Sequence, residues 1–143
     1  MIVKTEADMI ALGERLAGQV KAPCLIELIG DVGAGKTTLV KGLARGLGVT
    51  DEITSPSFTI NKTYTLQGLP LQNGTLSHYD FYRLEDAGIM KNEIAEALSE
   101  PDVVVVVEWA EAAGDALPAN RVKIKIAYNK DGSRTVAADG VKL

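Results

Sequence analysis

Residues 5–20, TEADMIALGERLAGQV, set Met9, Leu12, Leu16 and Val20 three or four positions apart. That spacing keeps them on one stripe of an α-helix. Thr5, with Asp8 three residues on, has the form of an N-terminal cap. The pattern then changes. APCLIELIG, residues 22–30, is a nearly continuous apolar run ending in glycine, which predicts a buried strand of a parallel sheet. KTTLVKGLARGLG, residues 36–48, returns to helical spacing through Leu39, Val40, Leu43 and Leu47, and Gly48 suits its C-terminal end.

Residues 57–84, SFTINKTYTLQGLPLQNGTLSHYDFYRL, are rich in Thr, Tyr, Phe and Ile. Their middle carries the turn formers Gly68, Pro70, Asn73 and Gly74. This predicts two strands joined by a hairpin-like loop. AGIMKNEIAEALSE, residues 87–100, reads as helix through Met90, Ile94, Ala97 and Leu98. Five consecutive valines then precede Glu108. A β-branched run without alternation predicts a strand covered on both faces. RVKIKIAYNKDGSRTVAADG, residues 121–140, alternates around an Asp131–Gly132 turn, the pattern of a hairpin with one wetter face. Together these elements predict an α/β sandwich with parallel central strands and added antiparallel strands, forming one domain over residues 1–143.

Composition narrows the function. Hydrophobic residues make up 46% and charged residues 24%, as in ordinary soluble domains. The net charge of −4 argues against a protein whose main task is to wrap nucleic acid. A single cysteine, Cys24, permits no intrachain disulfide and favours a reducing compartment. It lies in an apolar run and reads as a small core residue rather than a nucleophile. No apolar run approaches the ~20 residues of a membrane span, and MIVKTEADMI has no signal-peptide hydrophobic region. The expected location is cytoplasmic, with no membrane partner.

Residues 30–37 read G-D-V-G-A-G-K-T, which matches the phosphate-binding loop pattern G-x-x-x-x-G-K-[ST]. Gly33 and Gly35 let the backbone approach a ligand, and successive N–H groups can form an anion nest. The next helix presents its positive end to the phosphates. Lys36 supplies charge to the β and γ oxygens, and Thr37 a hydroxyl to Mg²⁺. The motif follows a predicted strand and opens a predicted helix, the context it requires.

Such a loop needs an acid from a neighbouring strand. Glu108, at the end of the valine run, and Asp80, at the end of LSHYD, are both candidates. The commoner residue after such a run is aspartate, so Glu108 departs from the usual pattern. The alternative for either acid is to cap a strand end, for instance against Arg83. TSPSFT, residues 54–59, offers hydroxyls that sense a γ-phosphate or, equally, a proline-containing turn. His78 is expected to hold a structural place beside Asp80, and Trp109 to pack in the core unless it stacks on a base or a partner. A GTPase would need N-K-x-D and D-x-x-G. NKTY, residues 61–64, lacks the aspartate, and the chain contains no D-x-x-G. A small-molecule kinase would need an arginine-rich lid, and none follows the loop helix.

GDVGAGKTTL, SPSFT, HYDFYRL and VEW occur in this order and spacing in one family. The sequence resembles the bacterial TsaE family, formerly YjeE, over nearly its whole length and most firmly over residues 25–109. The resemblance implies a P-loop NTPase-like fold, binding of ATP or ADP with Mg²⁺, and work with the partner proteins TsaB and TsaD. That machinery places a threonylcarbamoyl group on the adenosine next to the anticodon of tRNAs reading codons that begin with A, so tRNA is an indirect partner. Gly33, Ala34, Gly35, Lys36, Thr37 and Thr38 match the family's phosphate loop. Thr37 and Glu108 match its metal positions, and Asp80 its acid in H-x-D-x-Y-R. Glu6 falls where the family contacts the nucleotide. Glutamate in VEW is the family's own form of the second acid. Three functions stay open: an ATPase driving a cycle, an assembly subunit with incidental hydrolysis, and a small-molecule kinase.

Overall fold

The computed structural model describes residues 1–67, 73–85, 88–111, 113 and 117–143. The chain runs β1 (Ile2–Val3), α1 (Glu6–Ala17), β2 (Cys24–Ile29), α2 (Lys36–Gly46), β3 (Asn61–Thr65), β4 (Thr75–Asp80), α3 (Gly88–Ser99), β5 (Val103–Glu108), β6 (Val122–Tyr128) and β7 (Arg134–Asp139). The strands form one sheet in the order β1-β7-β6-β2-β5-β4-β3. Its centre, β6-β2-β5-β4, is parallel. Antiparallel strands close both edges, β3 on one side and β7 with β1 on the other. The expected architecture therefore holds.

Local chemistry accounts for the elements. Thr5 Oγ1 accepts the Asp8 N–H at 3.1 Å and Asp8 Oδ2 accepts the Thr5 N–H at 3.0 Å, the reciprocal cap read from sequence. α1 stops at Ala17, so Val20 lies beyond it and only half-buried. α2 is capped at Leu47, and Gly48 takes the left-handed conformation one residue later, at φ 82°. β3 and β4 pair in antiparallel fashion as expected. Of the turn formers between them, Gly68 and Pro70 lie outside the described residues, as does Ala87 at the start of the third helical pattern.

The valine run is covered on both faces. Val104 and Val106 join Leu12, Leu16, Ile26, Leu28, Leu39, Val40 and Leu43 in a core beneath α1 and α2. Val103, Val105 and Val107 join Leu25, Tyr79, Ile94 and Leu117 on the opposite face. Because strand side chains alternate, Glu108 falls on the α1–α2 side with Val104 and Val106, and His78 and Asp80 on the same side with Leu76. Two features exceed the expectation. The terminal hairpin is built into the sheet, since β6 pairs in parallel with β2. β1 extends the same edge by pairing with β7.

α1 and α2 approach until backbone meets backbone. A Cβ on Gly42 would lie 2.1 Å from the Ile10 carbonyl oxygen, and one on Gly13 would lie 2.4 Å from the Leu39 carbonyl oxygen. No rotamer relieves a clash with backbone, so Gly42→Ala must push the helices apart. We expect it to lower unfolding free energy by about 1–3 kcal/mol. Gly18→Ala is the control, since Gly18 has φ −68° and its Cβ would stand 3.5 Å from its nearest neighbour. Urea unfolding should show it neutral or slightly stabilised, and equal stability of the two variants would refute the close-approach account.

Candidate functional site

Parallel pairing brings the C-terminal ends of β2, β5 and β4 to one edge, where open α/β sheets form their crevice. The loop after β2 carries Gly33 at φ 78° and Gly35 at φ 113°, conformations that side chains resist. Gly35 caps α2 without any side-chain hydrogen bond, and the first turn of α2 holds no acid. α1 satisfies its own N-terminus through Thr5 and Asp8, whereas α2 leaves its positive end open beside the loop.

A cavity of about 460 Å³ lies over that end. Gly33, Gly35, Lys36, Thr37 and Thr38 line it from the loop side, and Asp80 and Glu108 from the strand side. Ala34 is buried within the loop. Lys36 is 5% exposed. Its Nζ donates to the Gly30 carbonyl at 2.6 Å and the Asp31 carbonyl at 2.9 Å, and it stands 5.0 Å from the centre of the Trp109 ring. Both partners are neutral carbonyls, and among the described residues no carboxylate forms an ion pair with Lys36.

The two acids are register partners across β4 and β5, and each is 3% exposed. Their surroundings differ. Asp80 accepts Ser57 Oγ at 2.7 Å and the Tyr82 N–H at 2.9 Å. Glu108 Oε1 meets His78 Nε2 at 2.9 Å, and His78 is fully buried. His78 therefore pairs with Glu108 rather than standing beside Asp80 as expected, because side chains two apart on β4 point the same way without touching. Asp80 is not capped by Arg83 either. The Arg83 guanidinium lies 4.3 Å from the centre of the Phe58 ring.

Residues 54–59 include the turn, with the Ile60 N–H bonded to the Pro56 carbonyl at 2.6 Å, and they also send Ser55 and Ser57 into the cavity. Trp109 departs from a purely core role. It is half-buried with φ 56°, lines the cavity and packs 4.9 Å from the Tyr82 ring. A left-handed conformation in a bulky residue costs energy and is held only where the surroundings impose it.

A second cavity, of about 210 Å³, shares Gly33, Gly35 and Thr38 with the first. Glu6 lines it with Lys4, Thr5, Met9 and Arg134. The loop thus stands between the two acids on one side and Glu6 on the other. Sequence reading missed Arg134 and Tyr128. The Tyr128 hydroxyl donates to the Gly33 carbonyl, and its ring lies 4.8 Å below the Arg134 guanidinium. Neither carries a local signal, since only the pairing of β6 and β7 with the sheet brings them to the loop.

A family model described as threonylcarbamoyl adenosine biosynthesis protein TsaE matches residues 3–136. The chain belongs to the TsaE family. It is 39% identical over 118 residues to the tRNA threonylcarbamoyladenosine biosynthesis protein TsaE of Streptomyces coelicolor, covering 82% of this chain and 78% of that one. It is 37% identical over 131 residues to the TsaE of Bacillus subtilis, covering 92% and 78%. Among solved structures, a crystal structure of Bacillus subtilis YdiB superposes with a TM-score of 0.76 at 32% identity, over 95% of this chain and 80% of that one. The P-loop NTPase-like fold expected from the TsaE resemblance is therefore shown. Among the described residues, no helix is long and apolar enough to cross a membrane.

Cys24 stands at the start of β2, away from the cavity, and burial pushes its thiol up to about 11. The thiolate is the reactive form. At pH 8 the native protein should therefore react with a thiol reagent more slowly than the unfolded protein, by on the order of a hundredfold. Equal rates would show that this thiol is accessible and not shifted by burial.

Proposed function

We propose that the chain is a Mg²⁺-dependent ATPase acting with TsaB and TsaD in forming the threonylcarbamoyl group on tRNA adenosine. The observation that carries this reading is one cavity lined jointly by an open helix N-terminus, a buried lysine and two buried carboxylates. Family membership supports the pathway in this reading, and the lining of the cavity supports the chemistry.

The donors fit a hard cation. A threonine hydroxyl and a carboxylate, completed by phosphate oxygens and water, are the ligands Mg²⁺ takes. Thr37 and Glu108 would hold it, and when bound it neutralises charge developing on the phosphates. The N–H groups of the loop from Gly33 to Thr38 bind the phosphate oxygens, and Lys36 adds a full charge there. Asp80 orients the attacking water or the segment around Ser57, to which it is already bonded. Glu6 and Arg134 flank the nucleotide beyond the loop. Adenine is favoured over guanine because the chain carries no N-K-x-D or D-x-x-G.

The site has no arginine-rich lid of its own in sequence, so hydrolysis should be slow until a partner completes it. An arginine supplied in trans is worth roughly 10³-fold or more in other P-loop proteins. The alternative, an assembly subunit for which ATP is glue, requires that a nonhydrolysable analogue support tRNA modification over many turnovers.

Trp109 is the chain's only tryptophan and lines the cavity, so its fluorescence reports occupancy. ATP with Mg²⁺ should change its emission. Lys36→Ala loses a charge-assisted contact of about 1.5–3 kcal/mol, so titration should show binding at least about tenfold weaker with the fold intact. Equal affinity would defeat the reading.

Phosphate release by the isolated chain should be weak and should rise when TsaB and TsaD are added together. ATP and ADP should also give different affinities for those partners, because binding couplings are reciprocal. A flat release curve with identical affinities would leave only the assembly role.

A further inference from the structure

We propose that His78 is a positioning residue that holds Glu108 for the metal. This rests on the functional reading above and adds a part to it. His78 lies on β4 and Glu108 on β5, and the contact between them is 2.9 Å in an environment where His78 is fully buried and Glu108 is 3% exposed. A carboxylate offers only acceptors, so the ring must place its hydrogen on Nε2 and donate to Oε1. His78 Nδ1 is also buried and has no hydrogen-bond partner among the described residues. The ring therefore has one polar engagement, and Glu108 supplies it.

That arrangement costs the protein an unpaired buried nitrogen. A leucine of similar bulk would remove that unpaired nitrogen but would leave the buried Glu108 oxygen without its partner. What leucine would lose is the anchor on Oε1. With that oxygen fixed, the carboxylate is held in one rotamer, and Oε2 has no hydrogen bond to any described residue. Groups that orient a ligating carboxylate in this way usually account for about 10–100-fold in metal affinity. Asp80 has no such role to fill, since both its oxygens are taken by Ser57 and Tyr82.

The test uses the full chain and measures how much Mg²⁺ half-saturates binding of a nonhydrolysable ATP analogue, read by Trp109 fluorescence. In His78→Asn the amide is too short to reach Glu108. In His78→Gln the amide nitrogen reaches the place of Nε2. We expect His78→Asn to raise the Mg²⁺ requirement about tenfold or more, and His78→Gln to return it to within about threefold of wild type. Affinity for the analogue without Mg²⁺ should be unchanged in both. Adding His78→Asn to Glu108→Gln should produce no further loss.

An unchanged Mg²⁺ requirement in His78→Asn, or an equal loss without the metal, overturns the positioning role. A wild-type protein that binds the analogue equally well with and without Mg²⁺ overturns the functional reading itself, so the two failures are distinguishable. A second measurement needs no His78 variant. His78 is the only histidine, so its ring ¹⁵N signals assign themselves. They should show hydrogen on Nε2, with the Nε2–H proton shifting when Mg²⁺ and the analogue are added and not shifting in Glu108→Gln. No hydrogen on Nε2, or no shift in wild type, overturns the proposal.

Discussion

Parallel pairing of β2 with β5 and of β5 with β4 sets Leu28, Glu108 and Asp80 at one level of the sheet. Everything at the site depends on that register. A one-residue slip of β5 would turn Glu108 to the opposite face, among the residues around Ile94, and would put a valine where the carboxylate stands. The valine run cannot set the register alone, since a slip would replace one buried valine by another; Glu108 sets it, because this alignment gives its buried carboxylate a partner in His78. The apolar core and the placement of the acid are thus one constraint.

The helical layer serves the same end. Contact between α1 and α2 at Gly13 and Gly42 brings the two helices nearer than side chains allow. That proximity also places the N-terminus of α1, with Thr5 and Glu6, beside the N-terminus of α2. One end is closed by its own cap and the other is open to a ligand. The proposed anion site thus falls at the helix end that lacks a cap of its own.

Sequence and structure agree wherever the signal is local. The heptad-like spacing of Leu12 and Leu16, the Thr5–Asp8 cap, the valine run and the loop from Gly30 to Thr37 are each written within about a dozen residues. Asp80 and Glu108 were legible because both end strands. Whether His78 would face Asp80 or Glu108 was not, because that depends on how β4 aligns with β5. β1 was missed because two residues carry no periodicity, and the parallel pairing of β6 with β2 because it joins distant parts of the chain. Arg134 and Tyr128 were invisible for the same reason. Trp109 was half legible: its apolar bulk predicted packing, while its left-handed backbone beside Lys36 followed from the surroundings.

The bond from the Tyr128 hydroxyl to the Gly33 carbonyl changes how the C-terminal hairpin should be regarded. An edge hairpin is commonly the permissive part of a fold, the place where an engineer inserts a tag or lengthens a turn. Here its first strand holds the loop backbone and its second supplies Arg134 to the neighbouring cavity. Material added at the 129–133 turn would therefore bear on the phosphate loop, although the sequence separates them by most of the chain. The permissive insertion points of this molecule have to be sought elsewhere.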